Sequence, residues 1–341
     1  MKVLFLWSHS SGYLEDSLKE VARRGAEVHL VHFENDLIAP FDLDVISNSR
    51  VIHHVISAKG SLNLRKLKES IEPDLVFISG WNHFRYISLR KSKNEKWIIC
   101  FDNQIRVGVK HLVLSLMFRS LKKLRMDYAF VPGESQSLLA SALGFKDFEI
   151  KHGLYAIDTT KYSTPRRSRK KEFIFVGRLI PEKGLRELVE GYIQYRSLVN
   201  DPWDLRICGD GPLRGQIVPG LIWEGFTQPN ELIGKLKSAG FLVLPSHFES
   251  WGVVISEALA SGMPVVASNN CGAVRSLVSS GWNGIVLSQV SPMNIANALV
   301  ECHEMNESEY LRMSINSQFI ASKTDVRIFA RSISEFYEQR N

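Results

Sequence analysis

Between residues 240 and 267 the chain reads GFLVLPSHFESWGVVISEALASGMPVVA, a pattern with few structural solutions. The apolar runs at 240–244 and 264–267 have the length and bounding residues of buried strands. Residues 253–261 carry apolar side chains at helical spacing, and 245–250 form the polar loop before them. The result is a strand–loop–helix–strand unit. Such units gather ligands outside the carboxyl ends of their strands, where the loop presents backbone N–H groups at the start of the helix. Glu249 falls in that loop and Glu257 on the helix beyond it.

Two carboxylates near a positive helix end also fit ordinary surface charges, favourable by about 0.3–1 kcal/mol each. Glu257, however, lies past the first turn among Ile255, Ala258 and Leu259, which face a core. A carboxylate there needs a partner, and a ligand hydroxyl would supply one. Because a carboxylate accepts bonds from adjacent hydroxyls, one glutamate suits a sugar and the other a ribose. Gly252 would let backbone N–H groups close on a phosphate.

The spacing Glu249…Glu257, followed by ALASGMPVVAS, resembles the signature of family 4 retaining glycosyltransferases with the GT-B fold. The likeness extends to FVGRLIPEKGLRELVEGY at 175–192, GDGPLR at 209–214, EGFTQPNEL at 224–232 and GWNGIVL at 281–287. This resemblance implies an α/β GT-B architecture, two Rossmann-like doubly wound domains facing each other across a cleft. The amino-terminal domain, 1–160, would hold the acceptor. A polar, basic linker would cover 161–171, and a nucleotide-sugar domain 172–322. The last helix, in 323–341, would cross back to the amino-terminal domain.

Composition agrees with a soluble globular protein of more than one domain: 341 residues, 45% hydrophobic and 23% charged. A net charge of +6 favours acidic partners such as nucleotide phosphates or anionic lipid, without the arginine density of a nucleic-acid binder. The four cysteines are far apart in sequence, as reduced thiols of a cytoplasmic protein would be, and no His/Cys spacing suggests zinc. The opening MKVLFLWSHSSG reads as a strand rather than a signal peptide, and no run is long enough to span a membrane.

In the amino-terminal half, apolar runs at 3–7, 27–33, 51–56, 75–78, 97–101 and 128–131 alternate with helical segments, as in a doubly wound sheet. Ser11 and Gly12 fall at a helix start, where phosphate or an acceptor hydroxyl can approach; a tight turn explains the glycine equally well. After two strands come unusually polar loops, with Trp81 and Asn82 in one and Asp102, Asn103 and Gln104 in the other. These are polar caps or acceptor contacts, and the resemblance favours contacts with a saccharide or lipid-linked acceptor. Residues 107–126 join an apolar stripe to five basic side chains, the pattern of a helix lying on anionic lipid or of one packed on a core with its lysines in water. The first reading would make the enzyme cytoplasmic and peripheral on the inner membrane face.

The resemblance also assigns roles. Arg178 and Lys183 would bind the donor diphosphate, Glu249 the sugar and Glu257 the ribose. Gly12, Gly209, Asp210, Gly211, Phe226, Ser250, Trp251, Gly252, Val253 and Val254 would complete the donor site. Departure of a diphosphate needs fixed positive charge, which Arg178, Lys183 and the helix start would supply. No metal is implied. Trp251 stands where a phenylalanine is usual, and Asp102 replaces a histidine that relatives place after an amino-terminal strand. Two further readings remain: a nucleotide-sugar epimerase of the same fold, which needs catalytic groups not found here, and a sugar-nucleotide sensor without catalysis.

Overall fold

The computed structural model describes residues 1–34, 50–57, 62–81, 83–89, 91–104, 126–163, 170–215 and 218–339. The basic stripe expected at 107–126, except Met126, and Asn82 lie outside these residues. The described chain divides into two units, residues 1–158 with 324–341, and 159–323.

Each unit is built on one parallel sheet. The first orders its strands β3-β2-β1-β4-β5-β6-β7: β1 Lys2–Leu6, β2 Glu27–Phe33, β3 Val51–Ile56, β4 Leu75–Ser79, β5 Lys96–Cys100, β6 Tyr128–Val131 and β7 Ile150–His152. The second orders β10-β9-β8-β11-β12-β13: β8 Glu172–Val176, β9 Asp204–Cys208, β10 Leu221–Gly225, β11 Phe241–Leu244, β12 Val265–Ser268 and β13 Gly284–Leu287. In both, the chain winds outward, returns and winds the other way, so strand order reverses between β1 and β4 and between β8 and β11. Ligands of doubly wound sheets bind outside the strand ends at this reversal. The strands read as short, almost continuous apolar runs because helices cover both faces of a parallel sheet. β7 escapes that signal: it is three residues long, IKH, none of them buried.

The first unit's core is stacked aromatic. Phe5 lies 4.5 Å from Phe77, ring to ring, and Phe130 meets Phe336 edge-on at 5.6 Å. Phe336 belongs to the chain's last helix, Val326–Glu338, whose Phe329, Ile333 and Phe336 are fully buried in this core. Asp325 caps that helix by accepting from Arg327 N at 2.9 Å, which satisfies a donor the helix start leaves open. The stretch read as a linker from 161 opens inside a short helix, Thr159–Tyr162, counted with the second unit. All four cysteines are buried thiols outside any disulfide.

Candidate active site

In the second unit, the loops after β8 and β9 lie backbone on backbone. Gly177 N donates to Cys208 O at 3.0 Å, and Leu179 N to Asp210 O at 2.9 Å. A Cβ on Gly209 would stand 1.9 Å from Gly177 O, and one on Gly211 2.7 Å from Leu179 O. The glycines of GDGP therefore serve the approach of two loops, beyond any local turn. Asp210 stays exposed and accepts from Gly211 N at 2.8 Å.

The same economy joins the loops after β8 and β11. Pro181–Lys183 makes one tight turn, and Gly184, at φ 65°, starts the Leu185–Leu198 helix. Its missing side chain would meet Pro245 O at 2.0 Å. Glu182 O accepts from His247 N at 2.8 Å. Glu249 is then fixed by its backbone: its N–H donates to Asn270 O at 3.3 Å, and its carbonyl accepts from Gly272 N at 3.0 Å. So held, it meets Lys183, whose Nζ donates to Glu249 Oε2; the two side chains are 14% and 18% exposed. Arg178 is exposed in the loop that carries Lys183. Beneath Glu249 lies Cys271, whose thiol burial pushes up to about 12, with Glu249 adding to the shift; it is chemically quiet.

Gly252 adopts φ 94° and ψ 68°, which turns the chain from Ser250 and Trp251 into the Val253–Ala260 helix. A Cβ there would press on Glu249 Cγ at 3.2 Å. Val253 and Val254 thus provide the first N–H groups of a helix, which have no partner within it. Trp251 is 2% exposed, so its ring belongs to the core and only its backbone can reach a ligand. Phe226, after β10, is 40% exposed.

Glu257 corrects one expectation. A ligand was to supply its partner, yet the Tyr162 hydroxyl already donates to Oε1 at 2.8 Å. Glu257 keeps part of its surface exposed, while its carboxyl is packed deeply enough that burial raises its pKa and the Tyr162 bond pulls it back. Sequence reasoning missed Tyr162; its one signal is an aromatic side chain inside a polar, basic stretch.

In the first unit, Ser11 precedes the Gly12–Arg23 helix in extended backbone and does not cap it through its side chain. Among the described residues, nothing stands within 4 Å of where a Gly12 side chain would begin. Gly12 lies in this unit and the other donor candidates in the second. Asp102 follows β5. Its carbonyl accepts from the buried Gln136 Nε2 at 3.1 Å, and its carboxylate is hydrogen-bonded to Tyr155. Asn103 is exposed and Gln104 partly so. Trp81 packs its ring 5.4 Å from Phe101. A histidine does follow an amino-terminal strand: His83, after β4, lies 2.7 Å from Ser8 Oγ through Nε2, and burial lowers its pKa.

Residues 157–318 match the family described as glycosyl transferases group 1. The chain is 27% identical over 173 residues to the lipopolysaccharide 1,6-galactosyltransferase of Salmonella typhimurium, covering 46% of this chain and 47% of that protein. It is 23% identical to the Escherichia coli protein of the same name over 277 residues, 77% of this chain and 65% of that one. The chain thus spans about half the length of the first curated relatives it matches. Among solved structures, Anabaena Alr3699/HepE in complex with UDP and glucose superposes with a TM-score of 0.75 over 100% of both chains at 18% identity. WaaG, a glycosyltransferase involved in lipopolysaccharide biosynthesis, gives 0.68 at 13% identity over 99% of this chain and 100% of that one. The fold is GT-B, with two Rossmann-like domains.

Proposed function

We propose that this chain, in which residues 157–318 are a glycosyl transferases group 1 domain, moves a hexose from a nucleoside-diphosphate sugar to a saccharide or lipid-linked acceptor, with retention. The observation that carries this reading is the convergence of Lys183, Glu249 and the Gly252–Val254 helix start at the strand reversal of the second sheet. A cation, a sugar-binding carboxylate and free N–H groups there are what a departing diphosphate and its sugar need. Relatives named as lipopolysaccharide galactosyltransferases support a cell-envelope acceptor. No described helix is long and apolar enough to cross a membrane.

In this reading Arg178 and Lys183 neutralise the diphosphate. An arriving phosphate competes with Glu249 for Lys183, and the carboxylate so released turns to the sugar hydroxyls. The anomeric carbon–oxygen bond to the diphosphate breaks as the acceptor oxygen bonds to the same face. The acceptor proton passes to the leaving phosphate oxygen, so little acid–base work falls to the protein. Asp102 acts on the acceptor side. Phosphate charge is met by side chains and backbone, without a metal.

Thermal-shift screening with UDP, GDP, ADP and their sugars tests the reading. A ligand present at about 100 times its Kd adds about 2.7 kcal/mol of stability. A shift with one nucleotide and its sugar supports the proposal; none with any of them overturns it.

A further inference from the structure

Within the candidate donor region, the carboxylate of Glu257 is held by a neutral side-chain hydroxyl. Its Oε1 accepts from the Tyr162 hydroxyl at 2.8 Å. Tyr162 is 8% exposed, and its short helix packs against the Val253–Ala260 helix that carries Glu257 and against the Pro229–Ser238 helix. The ring is therefore fixed, and its hydroxyl is not a swinging surface group. Glu257 itself stands in the middle of a helix that a hydroxyl ligand would approach from one side.

We propose that Tyr162 is a positioning residue for the nucleotide: it holds Oε1 of Glu257 and leaves the second carboxylate oxygen to the ribose hydroxyls. This rests on the reading of Glu257 as the ribose ligand. Two effects follow from one bond. The first is orientation, because a carboxylate pinned at one oxygen presents the other in a single direction. The second is ionisation. Burial favours the neutral acid, and a hydroxyl that donates to the carboxylate favours the anion. Burial pushes the Glu257 carboxyl up and the Tyr162 bond pulls it back. The helices packed on Val253–Ala260 carry Glu231, Lys235 and Lys237, Arg275, Glu307, Glu309 and Arg312, and Lys161 precedes the tyrosine. Of these, Lys235 is engaged by Glu224 at 2.9 Å. A protonated Glu257 would donate where two ribose hydroxyls require an acceptor. The hydroxyl of Tyr162 thus keeps the site competent at the acid end of its range.

Tyr162→Phe keeps the ring and removes only the bond. Titration calorimetry of UDP, GDP and ADP into the full-length protein at several pH values reads the effect on the nucleotide that binds. About ten-fold weaker binding is expected for Tyr162→Phe, since the bond is to a charged group. The deficit should widen as pH falls, because the unsupported carboxyl takes up its proton at a higher pH. In a Glu257→Gln background the tyrosine change should cost no more than about two-fold, there being no carboxylate left to hold. A deficit that is the same at every pH, or no deficit, overturns the proposal while nucleotide binding by the wild type stands. If folded Glu257→Gln binds as the wild type does, the ribose assignment fails and the role of Tyr162 with it.

Discussion

Gly184→Ala is the sharpest test of how the loops after β8 and β11 are assembled. At φ 65° an alanine costs about 1–2 kcal/mol in the left-handed region. Its Cβ would also fall 2.0 Å from Pro245 O, where an ordinary C···O contact needs about 3.3 Å. The loops after β8 and β11 must then part by about 1 Å, which breaks the 2.8 Å bond from His247 N to Glu182 O and costs about 1 kcal/mol more. The sum is roughly 2–3 kcal/mol, or a fall in Tm of roughly 4–12 °C for a unit of this size. Gly281→Ala provides the control, because Gly281 has φ 74° and, among the described residues, nothing within 4 Å of its missing side chain. It should lose only the backbone part, about 1–2 kcal/mol. Calorimetric melts of both variants beside the wild type measure the difference. Nucleotide titration below the melting range should show binding impaired for Gly184→Ala alone, since Lys183 is the adjacent residue. Equal losses from the two alanines would refute the close approach.

Glu249→Gln should lower turnover by about one to two decades with little change in nucleotide Kd; steady-state rates with titration calorimetry check both. Lys68→Met removes the cation of a pair 2.5 Å apart and 5% and 8% exposed, leaving Glu95 only its bonds from Ser92 N and Trp97 Nε1, so urea melts should show a loss of about 3–5 kcal/mol. Burial holds the imidazoles of His32 and His54 below their usual range. The unfolded chain therefore takes up their protons first, and the first unit's stability, fully present above about pH 6.5, should drain away as pH falls below it. Melts from about pH 7.5 down to about pH 5 check this, and a Tm that is flat or rises through that window contradicts it. Glu257 has the opposite sign: its raised pKa means that protonation relieves the second unit.

The strands were legible because a parallel sheet buried on both faces demands runs such as FIFV and FLVL, and those survive any loop between them. Glu249 and Glu257 were legible because one strand–loop–helix unit carries both. What stayed hidden are pairings between segments that no local spacing connects. Tyr162 reaches Glu257 across 95 residues and Lys183 reaches Glu249 across 66; neither partner's neighbours encode the other. The GDGP glycines show the same limit in backbone form. Read locally they make a turn, yet what excludes a side chain at Gly209 is the carbonyl of Gly177, 32 residues earlier. The residue types of a candidate site can thus be read along the chain, whereas the charge state and direction of each group depend on contacts that only folding makes. This is why Glu257, the residue whose need for a partner was plainest in the sequence, is also the one whose partner the sequence did not reveal.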